Sequence, residues 1–116
     1  MQFPEFIRSL PAVDIPFPED LVTTNAIRSD DALVVYFTVH KDFDLPEHSH
    51  GPQWGSIFLG SVELTVNGKT RVCKPGDSWD IPAGAPHSAR LKAGSLLMDV
   101  FEEADRYPLR YRTGNE

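Results

Sequence analysis

Two histidines, His48 and His50, stand two residues apart in the stretch PEHSHGPQW (46–54), and Gln53 follows three residues after the second. Imidazole is the commonest metal ligand in proteins, and two at close spacing can share one ion. In an extended strand, side chains at i and i+2 leave the same face, so this pair would point to a common place. Pro46 before the pair and Gly51-Pro52 after it interrupt a regular ladder. A new strand therefore begins at Gln53, and the turn between can fold Gln53 back towards the imidazoles. Downstream, His87 closes the stretch PAGAPH (82–87), where a rigid proline–glycine turn would aim one more imidazole at a fixed point. His40 stands alone and reads as an ordinary surface or hydrogen-bonded histidine.

The elements that must position these residues read as strands. ALVVYFTVH (32–40) is β-branched and aromatic. Val62, Leu64 and Val66 alternate with Ser61, Glu63 and Thr65, so one face is buried and the other is wet. Asn67-Gly68 is a hairpin signal, because both residues tolerate positive φ. Pro75-Gly76-Asp77, Pro82 to Pro86, and Ala93-Gly94 mark further turns. Frequent turns without helical periodicity predict one all-β domain, a sandwich or barrel, over 22–104. Residues 1–21 read as an arm broken by Pro4, Pro11, Pro16 and Pro18. Its Phe3, Phe6, Ile7, Leu10, Val13, Ile15 and Phe17 must bury against its own domain or a second subunit. Residues 105–116 read as a polar tail, a short terminal turn or a frayed end.

Composition narrows the partners. A chain of 116 residues, 41% hydrophobic, suits one domain with one core. The net charge is −6, and the basic residues are scattered apart from a loose group at Arg106, Arg110 and Arg112. That argues against nucleic acid, which calls for a clustered basic footprint, and favours a small molecule or another protein chain. No apolar run approaches the roughly 20 residues that span a bilayer. The N-terminus lacks a basic flank followed by an apolar block, and the single Cys73 excludes an internal disulfide framework. A soluble cytoplasmic protein is expected, with Cys73 packed and inert.

The combined spacing resembles the cupin superfamily of small single-domain proteins. Its first motif runs glycine, five residues, His-x-His, three or four residues, Glu, six residues, glycine. Here Pro46 precedes His48-x-His50, and six residues separate Gln53 from Gly60. The gap from His50 to Gln53 is one residue short, Gln53 replaces the Glu, and Asp42 replaces the first glycine. The second motif places a glycine, five residues, Pro-x-Gly-x-x-His and, three residues on, an Asn. Gly76, Pro82, Gly84 and His87 fall in register, and Leu91 replaces the Asn.

This resemblance implies a cupin-type jelly-roll β-barrel with an N-terminal proline-rich arm, and a homodimer. It implies one divalent transition metal (Fe, Mn, Ni or Zn) held by His48, His50, Gln53 and His87. If Gln53 stands aside, three imidazoles remain. An amide in place of a carboxylate leaves a divalent ion at about +2 rather than about +1 by counting ligand charges. Trp54, Phe58 and Trp79 lie near the motifs and are candidates for the pocket wall; Arg71 and Arg90 are candidates for holding an anion but read first as solvated surface. The sequence offers no base near the motifs besides Glu47, which should point away from His48 and His50. If the protein is an enzyme, dioxygenase-like chemistry on a small molecule, anionic or neutral, is therefore the leading expectation. The alternatives are a metal-dependent isomerase or lyase, and a non-catalytic barrel that binds or senses a small ligand.

Overall fold

The computed structural model describes residues 1–111; Arg112 and the rest of the expected tail lie outside the described residues. Two β-sheets face each other around the core, as a jelly roll requires. The larger sheet contains β2 (Val22–Arg28), β3 (Leu33–Val39), β5 (Gln53–Leu59), β8 (Ser78–Ile81) and β10 (Leu96–Phe101), in the order β2-β3-β10-β5-β8. The smaller contains β4 (Phe43–His48), β6 (Val62–Val66), β7 (Lys69–Cys73) and β9 (His87–Leu91), in the order β4-β9-β6-β7. All pairings are antiparallel. The β6–β7 hairpin turns at Asn67-Gly68 with φ of 51° and 76°, the left-handed pair that such a hairpin demands.

Strand alternation sets what faces inward. Val22, Val39, Ile57, Trp79, Ile81 and Leu97 of the larger sheet pack against Val62, Leu64, Cys73 and Leu91 of the smaller. Cys73 is fully buried in this cluster, as a packed thiol. A second cluster joins Ala26, Leu33, Val35 and Phe101 of the larger sheet to Val13. Here a two-stranded ribbon covers the sheet: β1 (Ala12–Val13) pairs with β11 (Leu109–Arg110). No helix among the described residues is long and apolar enough to cross a membrane.

The N-terminal residues wrap one edge of the larger sheet. Between Pro4 and Pro11 the chain makes only the single turn α1 (Glu5–Arg8). Phe3 is buried edge-on against Tyr36 and Phe58, with ring centres 5.3 and 6.0 Å away. The Asn25 amide, also buried, donates to the carbonyls of Arg8 and Leu10 at 3.0 and 2.9 Å. The chain then passes β2, where the Pro11 carbonyl accepts from Ala26 N–H and the Thr24 hydroxyl accepts from Val13 N–H. A covered edge strand is a protected one. Phe3→Ala should lower stability by about 3 kcal/mol in urea unfolding at one fixed protein concentration; a loss below about 1 kcal/mol would contradict this packing of the arm.

Candidate metal centre

The three imidazoles converge although they come from different local structures. His48 ends β4 and pairs directly with His87 at the start of β9. The register slips between Leu45 and His48, a bulge that turns both residues inward although three positions separate them. His50 lies beyond β4, in the link to β5, so the two histidines are not on one strand as expected. The link is fixed from both sides. The His50 carbonyl accepts from Gly84 N–H at 2.8 Å, and Gly51 N–H donates to the Glu103 carboxylate at 2.8 Å. Ring centres of His48, His50 and His87 lie 4.2 to 5.3 Å apart. One ligand atom from each falls within 4.8 Å of the others, so these three residues could hold a metal ion.

Each imidazole is oriented through its other nitrogen. Nδ1 of His48, His50 and His87 meets the carbonyls of Pro46, Gly51 and Ala85 at 2.8, 2.9 and 2.9 Å. A carbonyl only accepts, so Nδ1 carries the proton and Nε2 keeps its lone pair. Nε2 of His50 and of His87 is buried without a hydrogen-bond partner among the described residues, and so is Oε1 of Gln53. Three buried acceptors left unpaired would be costly. A cation at the three imidazoles would give both Nε2 atoms a partner, so these histidines fit a metal. Burial, then the Arg106 charge, holds the His50 pKa below 6.5; burial, then His48 and Arg106, does the same for His87.

Asp99, which the sequence reading did not single out, lies behind Gln53. One row across the inner face of the larger sheet reads Trp79, Gly55, Asp99. The Trp79 indole reaches across the glycine and donates to Asp99 Oδ1 at 2.8 Å. A Cβ at position 55 would run into both the indole nitrogen and the carboxylate. Burial raises the Asp99 pKa to about 6, against hydrogen bonds from the Gln53 amide and the Trp79 indole that favour the ionised form. A signal existed in SLLMDVF (95–101): Asp99 shares a strand face with Leu97 and Phe101, where a charge is out of place.

His48, Gln53 and Asp99 open on a cavity of about 60 Å³, walled by Phe101, Tyr107 and Phe17 among others. That is room for a few water-sized groups. Tyr107 and its neighbour Arg106 come from the segment expected to be a tail without a role. The guanidinium lies over the Tyr107 ring at 4.5 Å, and its Nε is buried without a partner among the described residues. The sequence marked Arg106 only as one of a loose basic group, and Tyr107 not at all.

Three expected pocket residues fall differently, while Arg71 and Arg90 lie on the surface, the reading favoured for them. Trp54 and Phe58 face outward, each 42% exposed, because β5 starts with Gln53 inward and even positions then point away. Trp79 is buried and meets the site only through Asp99. Arg71 is exposed and donates to the Ser78 carbonyl, while Arg90 is exposed 3.9 Å from Asp44. Glu47 is exposed, as expected. His40 is exposed and bonded to the Thr23 hydroxyl at 2.6 Å.

Family comparison agrees with the geometry. The Cupin domain family matches residues 34–97, more than half of the chain. The chain is a cupin. KdgF from Halomonas sp. is 21% identical at a TM-score of 0.67, with 90% of each chain covered. An RmlC-like cupin from Shewanella frigidimarina is 20% identical at 0.71, covering 83% of this chain and 86% of that one. Oxalate decarboxylase of Bacillus subtilis, described with Mn(II) centres, is 18% identical at 0.61; 76% of this chain matches 28% of that one. At these identities the likeness speaks to the fold. No curated protein matches the chain.

A pH prediction follows from Asp99. Its folded pKa is raised, so between 3.8 and about 6 the native state binds more protons than the unfolded chain, and this group's contribution to stability falls as pH rises through that window. In the metal-free cupin, Asp99→Asn should therefore gain stability relative to the parent as pH rises through the window. Urea midpoints of the pair at both ends of it check this; a pH-independent difference would contradict it.

Proposed function

We propose that this cupin is a metal-dependent enzyme of the isomerase or lyase class. It moves a proton on a small anionic molecule at a divalent ion held by His48, His50, His87 and Gln53. The observation that carries this is Asp99, a carboxylate in the same cavity as His48 and Gln53. Oxygen chemistry led the sequence reading because no base was visible; Asp99 supplies one. A bound divalent ion would polarise a substrate oxygen and stabilise the negative charge that develops on it. Asp99 would take the proton, while the Trp79 indole keeps one carboxylate oxygen in place. Arg106 supports the anionic substrate, since its charge reaches His50 and His87 and its Nε is unpaired among the described residues. The apolar walls would exclude water around the transfer. Imidazole donors suit Fe, Mn, Ni and Zn alike, and the Mn(II) centres of oxalate decarboxylase support manganese as one of these.

The test is turnover of small hydroxy- and keto-carboxylates in D₂O, followed by NMR, with oxygen uptake recorded in parallel. Deuterium incorporation at a carbon without oxygen consumption is expected. Arg106→Ala should raise KM about 10- to 100-fold, the usual worth of a charge-assisted contact. Oxygen consumption with substrate would favour the dioxygenase alternative. One metal per chain without turnover would favour the ligand-binding one.

We also propose that the protein acts as a homodimer. Ile27, Val34, Val100 and Trp54 form one row across the outer face of the larger sheet, and Ile27 and Trp54 are about half exposed. A second copy would cover this apolar row. Sedimentation at monomer mass would contradict the proposal.

A further inference from the structure

Gln53 has two ways to place its amide. One gives the nitrogen to Asp99 and leaves the oxygen for the cavity that Gln53 shares with His48; the other reverses them. The choice matters, because the oxygen is a metal donor and the NH₂ group is not. We propose that Asp99, anchored by the Trp79 indole, is the positioning residue that turns the Gln53 oxygen towards His48, His50 and His87. This rests on the reading of those four side chains as one ligand set. An ionised carboxylate only accepts, so it takes the Gln53 NH₂ and leaves Oε1 on the far side. The reversed amide would set its oxygen against the carboxylate, acceptor against acceptor, in a buried place. Oε1 is indeed the Gln53 atom left buried and without a partner among the described residues.

The anchor is itself built into the sheet. Gln53 pairs with Phe101 and Gly55 with Asp99, so Gln53 and Asp99 sit diagonally on adjacent strands. Gly55, between Trp79 and Asp99 in their row, leaves the gap through which the Trp79 indole reaches Oδ1. The negative charge that a carboxylate ligand would bring is thus not lost. It stands one hydrogen bond behind the ligand. The arrangement is the reverse of a carboxylate ligand at position 53 backed by an amide at position 99, and that reversal provides the test. In Asp99→Asn, the new amide oxygen accepts from Trp79 and its NH₂ faces Gln53, which reverses the Gln53 amide. In the double variant Gln53→Glu with Asp99→Asn, the same NH₂ steadies the carboxylate introduced at position 53 and leaves its other oxygen for the ion.

Zn²⁺ affinity, measured by competition with a chromophoric chelator, should fall about 10- to 100-fold in Asp99→Asn, the usual cost of losing a partner that orients a ligand. It should return at least to the parent value in the double variant. In the zinc-free parent, the Gln53 side-chain NH₂ should show one proton protected from exchange, and that protection should vanish in Asp99→Asn. Unchanged affinity in Asp99→Asn, a double variant that binds no better than it, or an unprotected Gln53 NH₂ would each overturn the positioning role. If Asp99→Asn does not fold, Trp79→Phe replaces it: a severalfold loss of affinity supports the role and no loss overturns it. His87→Ala separates the two readings. Retained zinc affinity there sinks the ligand set itself, whereas loss there with Asp99→Asn unaffected sinks only the positioning.

Discussion

Three backbone carbonyls hold the Nδ1 protons of His48, His50 and His87. Nearly everything at the site depends on that. An imidazole free to exchange tautomers offers a lone pair only part of the time, whereas one pinned at Nδ1 offers Nε2 always. The carbonyls belong to Pro46, Gly51 and Ala85, so the backbone turns that interrupt the strands also set the chemistry of the rings. Burial and neighbouring positive charge then keep His50 and His87 neutral at ordinary pH. Two-sheet packing brings these turns to one end of the barrel, with His48 opposite His87 across β4 and β9.

With Gln53 as the proposed fourth ligand, the electrostatics would change without losing all negative charge. Four neutral donors taken alone would leave a divalent ion at about +2. Asp99 brings a carboxylate to the back of Gln53, and the ion would feel it through the amide rather than by direct contact. A metal held this way is expected to be exchanged more readily and to remain a strong Lewis acid. The same carboxylate faces the cavity, so in the proposed scheme one residue would both steady the ligand set and offer a place for a proton.

The sequence made the histidines legible because their spacing is tied to turns that have their own signals. Pro82 and Gly84 announce a rigid corner, and His87 follows it at a fixed distance. Asn67-Gly68 likewise announced a hairpin that formed as expected. Gln53 was legible as a position, but its orientation was not, since that depends on a strand paired with it from more than forty residues away. Asp99 left a trace as a charge on an apolar strand face, yet its partner Trp79 is brought near only by the β5–β8 and β5–β10 pairings. Tyr107 left none and Arg106 only its place in a loose basic group, because both arrive by an irregular return of the chain after β10. Trp54 and Phe58 were misplaced for want of one fact, the inward start of β5 at Gln53.

The most direct measurement is an anomalous difference map from crystals of the protein loaded with Mn²⁺. The account predicts one strong peak in the barrel, within bonding distance of Nε2 of His48, His50 and His87 and of Oε1 of Gln53, with Asp99 behind the amide. A peak held by other residues, or by the three imidazoles with Gln53 turned away, would contradict it.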